Sequence, residues 1–294
     1  MNEGRIIKGV GGLYFVEEKG TAYPCRARGL FRLKKLTPMV GDWAAFEPPK
    51  GEDAEGRIVD ILPRRNALKR PAVANLDLNM IVIAAGQPQP DWLLVDRLLA
   101  QAVEAKLPAA LCINKADQAD AATIEAWRQQ YRHLPAVYVT SRLQPQSLAA
   151  LKEALAGKTV CFCGQSGVGK STLINALSSS GDMEIGDISM RTRRGRHTTR
   201  HAQLLPLEGG GYVVDTPGFS LLEMDLMEPA HLADCYPDFT PYGQGCRFIG
   251  CLHDREPDCA VKEAVKRGLV DSERYARYRL LLQDMKERWK SRYD

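Results

Sequence analysis

The sequence has no apolar run long enough to cross a bilayer, which takes about 20 consecutive residues. Its opening, Met1-Asn2-Glu3-Gly4-Arg5, has no apolar stretch of the kind that directs export. Its eight Cys form no evenly spaced framework and include no C-x2-C pair, so a disulfide scaffold is not expected. Cys25, Cys112, Cys161 and Cys163 fall in strand-like runs, where a thiol packs as a small hydrophobe. That usage fits a reducing cytoplasm. Internal repeats and low-complexity tracts are also missing, which excludes solenoid and disordered-array architectures. Net charge is only +4 over 294 residues, so any electrostatic partner must be met by a local patch. These absences leave a cytoplasmic chain with no membrane partner, long enough for two or three ordinary cores.

What is present centres on Gly164-Gln165-Ser166-Gly167-Val168-Gly169-Lys170-Ser171-Thr172, which fits the phosphate-loop pattern G-x-x-x-x-G-K-[ST]. Lys158 to Cys163 before it reads as a buried strand, and Ser171 to Leu177 after it reads as the start of a helix. The three Gly let the backbone approach a phosphate and turn N–H groups toward it. The helix N-terminus adds partial positive charge. Lys170 can reach β- and γ-phosphates, and the Ser171 hydroxyl can sit on Mg2+.

The choice of base lies upstream. An apolar strand over 107–113 ends in Asn114-Lys115-Ala116-Asp117. The Asp117 carboxylate can accept from both the ring N–H and the exocyclic amine of guanine, a donor pair adenine lacks. Asn114 can support the other edge, and the Lys115 stem can pack along the base plane. A second strand over 136–139 ends in Thr140-Ser141, where a guanine-contacting loop is expected. Downstream, the strand over 211–214 runs into Asp215-Thr216-Pro217-Gly218. There Asp215 can hold Mg2+, and the Gly218 N–H can face a γ-phosphate.

This set resembles the translation-factor-type GTPases with its motif order permuted, since the base-reading motifs precede the phosphate loop. With its flanks, the chain resembles the bacterial circularly permuted GTPases of late small-ribosomal-subunit maturation, over essentially its whole length. Three domains follow from that resemblance. Residues 1–66 form an all-β barrel, 67–224 a circularly permuted α/β P-loop GTPase domain, and 225–294 a mostly helical zinc-binding domain. Strand spacing alone allows an oligonucleotide-binding (OB-like) or an SH3-like barrel; the resemblance favours the OB-like one. Its Arg26, Arg28, Arg32, Lys34 and Lys35 would then lie near an RNA face. Pro63 to Pro71 reads as the linker to the nucleotide domain.

Cys246-x4-Cys251-x-His253-x5-Cys259 supplies three thiolates and an imidazole, a closed tetrahedral set that would fold rather than catalyse. In the resembled family this spacing binds zinc. Cys235 is not expected to be a ligand. A helix over 273–292 follows, with seven Lys or Arg from Arg274 to Arg292 against Asp284 and Glu287, an excess suited to a phosphate backbone or to a solvated face.

Between the loop helix and Asp215 lies Arg191-Thr192-Arg193-Arg194-Gly195-Arg196-His197-Thr198-Thr199-Arg200. This is the position of the first switch, where Thr198 or Thr199 would bind Mg2+ when a γ-phosphate is present. The residue after Gly218 is Phe219, so the usual water-orienting amide is missing. His197 is the substitute that the resemblance implies; an RNA contact is its other reading. The resemblance therefore implies a GTPase that turns GTP into GDP and phosphate. It would be slow alone and stimulated by the 30S subunit and its 16S rRNA, and it would act as a monomer with one structural Zn2+ and Mg2+. A nucleotide-gated rRNA-binding factor with incidental hydrolysis is the alternative reading.

Overall fold

The computed structural model describes residues 1–27, 31, 36–50, 54–69, 71–179, 202–215 and 226–293. The first strands are β1 (Asn2–Val10), β2 (Leu13–Glu18), β3 (Thr21–Ala27), β4 (Trp43–Glu47) and β5 (Gly56–Ile61). Gly11 and Gly12 both take positive φ, 58° and 84°, and Val10 pairs with Leu13 across them. That is the two-residue hairpin a Gly-Gly turn favours. Neighbouring strands pair antiparallel except β3 and β5, which are parallel. The β1–β4 pairing closes the order β1-β2-β3-β5-β4 into a five-stranded barrel and removes its sheet edges. Ile6, Val16, Cys25, Phe31, Ala44, Phe46, Ile58 and Ile61 fill it. This is the OB-like barrel expected for the N-terminal region.

The stretch expected to be a linker is built into the structure instead. Arg64 donates to both carboxylate oxygens of the buried Asp42, at 2.7 and 2.8 Å, and to Thr37 O. Arg65 donates to Asp77 at 2.8 Å. The short strands β6 (Ala67–Leu68) and β7 (Val73–Ala74) pair antiparallel. Composition marked a Pro- and Arg-rich connector, but the carboxylates that these Arg reach lie elsewhere in the sequence.

The nucleotide domain contributes β8 (Leu78–Ala84), α1 (Trp92–Glu104), β9 (Ala109–Asn114), α2 (Ala121–Gln130), β10 (Val137–Val139), α3 (Pro145–Leu155), β11 (Thr159–Cys163), α4 (Lys170–Leu177), β12 (Gln203–Pro206) and β13 (Tyr212–Asp215). β8, β9 and β11 are buried throughout, as their mostly apolar sequences require. Asp91 and Asp120 cap α1 and α2 through their side chains.

The chain divides into two compact units, taken here over described residues only. One comprises Met1–Met80, Gln144–Cys163 and Gly169–Ser220; the other comprises Ile81–Leu143, Gly164–Val168 and Leu221–Asp294. In the first, β11 and β13 run parallel, β12 lies antiparallel to β13, and β12 also pairs with β1 through Lys8 and Gln203. The barrel's first strand thus continues the nucleotide-domain sheet. In the second, β9 and β10 run parallel, and Ala85 N donates to Asn114 O at the end of β8.

The C-terminal region of the second unit contains α5 (Thr240–Gly243), α6 (Ala260–Lys266) and α7 (Ser272–Lys290), the last ending in a 3-10 turn. Asp271 caps α7. Tyr236, Phe239 and Tyr278 pack with ring centroids 4.9–5.0 Å apart over Leu281, Leu282 and Met285. Part of the basic excess of α7 is paired inside the protein, while Arg279 keeps 54% of its side chain exposed and Lys290 and Arg292 are exposed. Arg274 is 1% exposed and donates to Asp96 on α1 at 2.6 Å and to Asp238 at 3.0 Å. Arg277 donates to the other Asp96 oxygen at 2.5 Å. Arg279 and Lys286 both reach Asp254. Sequence alone shows an excess of cations here, because their carboxylate partners are distant along the chain.

Removing the Asp96 carboxylate would leave Arg274 buried without its nearest counter-charge, a loss of about 3–5 kcal/mol for a broken buried pair. Asp96→Ala is therefore expected to lower the urea midpoint of the unit that carries α1 and α7. An unchanged midpoint would mean that the triad contributes nothing net.

Candidate functional site

The phosphate-loop sequence forms the turn its chemistry requires. β11 ends at Cys163 and α4 starts at Lys170. Gly164, Gly167 and Gly169 take φ values of 131°, 82° and 98°. A Cβ at Gly164 would stand 2.2 Å from Val82 O, so only Gly fits there. No side chain caps α4. Val168 is fully buried, whereas Ser166 and Thr172 are exposed. The Gln165 side chain accepts from Asp91 N at 3.0 Å, a bond nothing in the motif predicts.

Two residues of Asn114-Lys115-Ala116-Asp117 are bonded to this loop. Asn114 donates through Nδ2 to Val168 O at 2.9 Å and accepts from Thr140 Oγ1 at 3.0 Å. Lys115, at φ 58°, donates through Nζ to Gly167 O at 2.8 Å and to Gln87 O at 2.7 Å. Its charge is thus held by backbone carbonyls, leaving the stem for packing. Asp117 is exposed and accepts from the buried Ser141 hydroxyl at 2.5 Å, which fixes one carboxylate oxygen. Asn114, Lys115, Asp117, Thr140, Ser141 and the loop residues Gly164 to Val168 all lie in the second compact unit.

Lys170, Ser171 and Asp215 lie in the first. Burial lowers the pKa of Lys170, partly offset by Cys163. Burial raises that of Asp215, opposed by a hydrogen bond from Gln203 Nε2 at 3.3 Å. Both groups are therefore held where the charged form is disfavoured unless a counter-charge joins them. An anionic phosphate suits Lys170, and a hard divalent cation suits the oxygens of Ser171 and Asp215. Among the sequence-identified site residues, His197, Thr198, Thr199 and Gly218 lie outside the described residues, as does Phe219. So do Arg28, Arg32, Lys34 and Lys35 of the barrel. Arg26 is described and is ion-paired with Glu55.

The four predicted metal ligands converge. The donor atoms of Cys246, Cys251, His253 and Cys259 all lie within 4.8 Å of one another. Cys246 Sγ stands 3.8 Å from Cys259 Sγ, and His253 Nδ1 stands 3.5 and 3.4 Å from those two sulfurs. Tetrahedral zinc bonds of about 2.3 Å to sulfur and 2.0–2.1 Å to nitrogen set separations of about 3.8 and 3.5 Å. The cluster could therefore hold a zinc ion without rearrangement. Burial lowers the pKa of His253, favouring the neutral ring that a metal needs. Tyr275 and Tyr278 of α7 donate to His253 O and Leu252 O at 2.7 and 2.6 Å. Glu256 accepts from Leu252 N and Asp254 N. This supporting shell was not read from the sequence, although Tyr275 and Tyr278 share one helix face by their i,i+3 spacing. Cys235 stays outside the cluster, buried in the core.

A family model described as RsgA GTPase matches residues 61–225, and one described as RsgA N-terminal domain matches residues 3–58. The chain belongs to the RsgA GTPase family. A protein named small ribosomal subunit biogenesis GTPase RsgA from Caldanaerobacter subterraneus subsp. tengcongensis is 42% identical over 292 residues, covering 99% of this chain and 98% of the relative. One of the same name from Agathobacter rectalis is 40% identical over 301 residues, covering 98% and 99%. Among solved structures, YjeQ from Thermotoga maritima aligns with a TM-score of 0.82 at 34% identity, covering 96% of this chain and 98% of that one. YloQ, a circularly permuted GTPase, aligns at 0.79 and 36%, covering 98% and 96%.

As an RsgA GTPase, the chain is a GTP-hydrolysing enzyme whose central domain has the permuted motif order. Asn114 at the end of β9 and Lys115 after it, both ahead of the loop in sequence, reach it through the Val168 and Gly167 carbonyls.

Metal analysis of the purified RsgA-family chain should find one zinc per molecule. Cys251→Ala should release it and increase protease cleavage within residues 240–260. A full zinc complement in that variant would remove Cys251 from the ligand set.

Proposed function

We propose that this enzyme binds the small ribosomal subunit and hydrolyses GTP to GDP and phosphate during late subunit maturation, with turnover stimulated by the subunit. The observation that carries the nucleotide chemistry is the pair of bonds from Asn114 and Lys115 to Val168 O and Gly167 O. They join a guanine-reading motif to a phosphate loop. The names of the full-length relatives support the subunit as partner. The working division is a barrel over 1–66, a permuted GTPase domain over 67–224 and a zinc-binding domain over 225–294. The protein acts as a cytoplasmic monomer on 16S rRNA, and no helix among its described residues is long and apolar enough to cross a membrane.

In this reading Asp117 selects guanine, Asn114 and the Thr140-Ser141 turn hold the other side of the base pocket, and the N–H groups of residues 164–172 cradle the phosphates. Lys170 offsets charge on the β/γ oxygens. Ser171 and Asp215 hold Mg2+, with Thr198 or Thr199 from the switch; the ion supplies charge neutralisation at the transferred phosphoryl group. Gly218 N–H faces the γ-phosphate. Phe219 cannot orient water, so His197 accepts a proton from the attacking water or aligns it. The Cys246, Cys251, His253 and Cys259 set holds one structural Zn2+.

Asp117→Asn replaces the double acceptor by an amide and should shift preference from GTP toward XTP in competition binding. An unchanged GTP-to-XTP ratio would remove Asp117 from the base site. His197→Ala should leave GTP affinity and subunit binding largely intact. It should cut subunit-stimulated turnover about 100-fold or more, the scale of a positioned acid–base group. Stimulated turnover that survives while subunit binding falls would make His197 an RNA contact instead.

A further inference from the structure

Lys8, Gln203 and Asp215 form one row across three strands. Lys8 of β1 pairs with Gln203 of β12, and Gln203 pairs with Asp215 of β13. Residues directly opposite one another on adjacent strands present side chains to the same sheet face. Burial rises along the row, from exposed Lys8 through half-buried Gln203 to Asp215, which is 7% exposed. Gln203 Nε2 donates to Asp215 Oδ2 at 3.3 Å.

We propose that Gln203 is a positioning residue. Its amide fixes the rotamer of the Asp215 carboxylate for Mg2+, and through it the barrel strand β1 sits one residue away from the metal-holding group. The proposal rests on the reading of Asp215 as the Mg2+ carboxylate. The residue type matters. A neutral amide orients a carboxylate without cancelling its charge, so the carboxylate keeps its attraction for a divalent cation. A cation at position 203 would pair with Asp215 and compete with the metal. The row already contains a cation in Lys8, and Gln203 stands between it and Asp215. β12 also begins three residues after Arg200, where the Arg-rich segment ends in sequence. A partner that displaces β1 would therefore act on Asp215 through a single side chain.

The test uses the full-length protein with N-methylanthraniloyl-GDP, following nucleotide retention as free Mg2+ is raised from EDTA to millimolar levels. The wild type is compared with Asp215→Asn, Gln203→Met and Gln203→Lys. Gln203→Met keeps the volume and β-pairing but loses the donor. It should raise the half-saturating Mg2+ concentration about tenfold, the usual scale for an outer-shell partner of a metal ligand. Gln203→Lys should raise it further. Affinity in EDTA and the thermal midpoint should match the wild type in both. If Asp215→Asn shifts the Mg2+ midpoint and both Gln203 variants keep the wild-type value, the positioning role is overturned while Asp215 keeps its own. If Asp215→Asn also keeps the wild-type midpoint, the reading of Asp215 falls first. A loss of nucleotide affinity in EDTA equal to the Mg2+ shift would overturn the proposal too, because Gln203 would then be supporting the fold and not the metal ligand.

Discussion

Two hydrogen bonds to backbone carbonyls tie the turn after β9 to the glycine-rich loop after β11. A phosphate loop works by aiming its N–H groups inward, and each peptide whose carbonyl is anchored on the outside has its N–H direction set with it. Asn114 Nδ2 and Lys115 Nζ anchor Val168 O and Gly167 O. The same two residues open the Asn114-Lys115-Ala116-Asp117 turn, so under the proposed function base and phosphate recognition share one support. Lys115 pays for the role with a left-handed backbone, φ 58°, and its two carbonyl partners over-determine that conformation.

The C-terminal region depends on a different kind of constraint. Its core is aromatic, but the polar parts are what locate it. Asp96 on α1 takes both Arg274 and Arg277 from α7 in a site with almost no solvent. Such a triad adds little net stability compared with an apolar replacement, yet it strongly disfavours any arrangement that leaves a charge buried alone. The same helix supplies Tyr275 and Tyr278 to the carbonyls of the Cys/His turn, and Arg279 and Lys286 to Asp254 within it. One helix therefore joins the nucleotide domain's α1 to the Cys/His cluster.

Much of this was legible from residue type and spacing. The glycine pattern from Gly164 to Gly169 demands positive φ, and the loop has it. The Gly11-Gly12 turn, the buried runs of β8, β9 and β11, and the Cys246, Cys251, His253, Cys259 set follow equally from local chemistry, because each is specified within a few residues of itself. The internal pairing of Arg274 and Arg277 on α7 was not legible, for the opposite reason. A cation looks the same in sequence whether it faces solvent or a carboxylate 178 residues away, as Arg274 does with Asp96. The anchoring of the linker was hidden likewise, since Arg64 and Arg65 bond to Asp42 and Asp77 elsewhere in the sequence.

By itself, then, the sequence determined the local character of each short segment: a glycine-rich strand-to-helix loop, an Asn-Lys-x-Asp turn, a set of three Cys and one His that could hold a metal ion, and a barrel of short strands. These rest on backbone sterics, donor and acceptor inventories and two-residue periodicity, all local quantities. Tertiary structure alone decided which carbonyls Asn114 and Lys115 grip, that β1 of the barrel pairs with β12 beside Asp215, and that Asp96 claims two of the seven cations of the last helix. Those outcomes depend on burial and on partners far apart in the chain, and no local pattern encodes the distance between them.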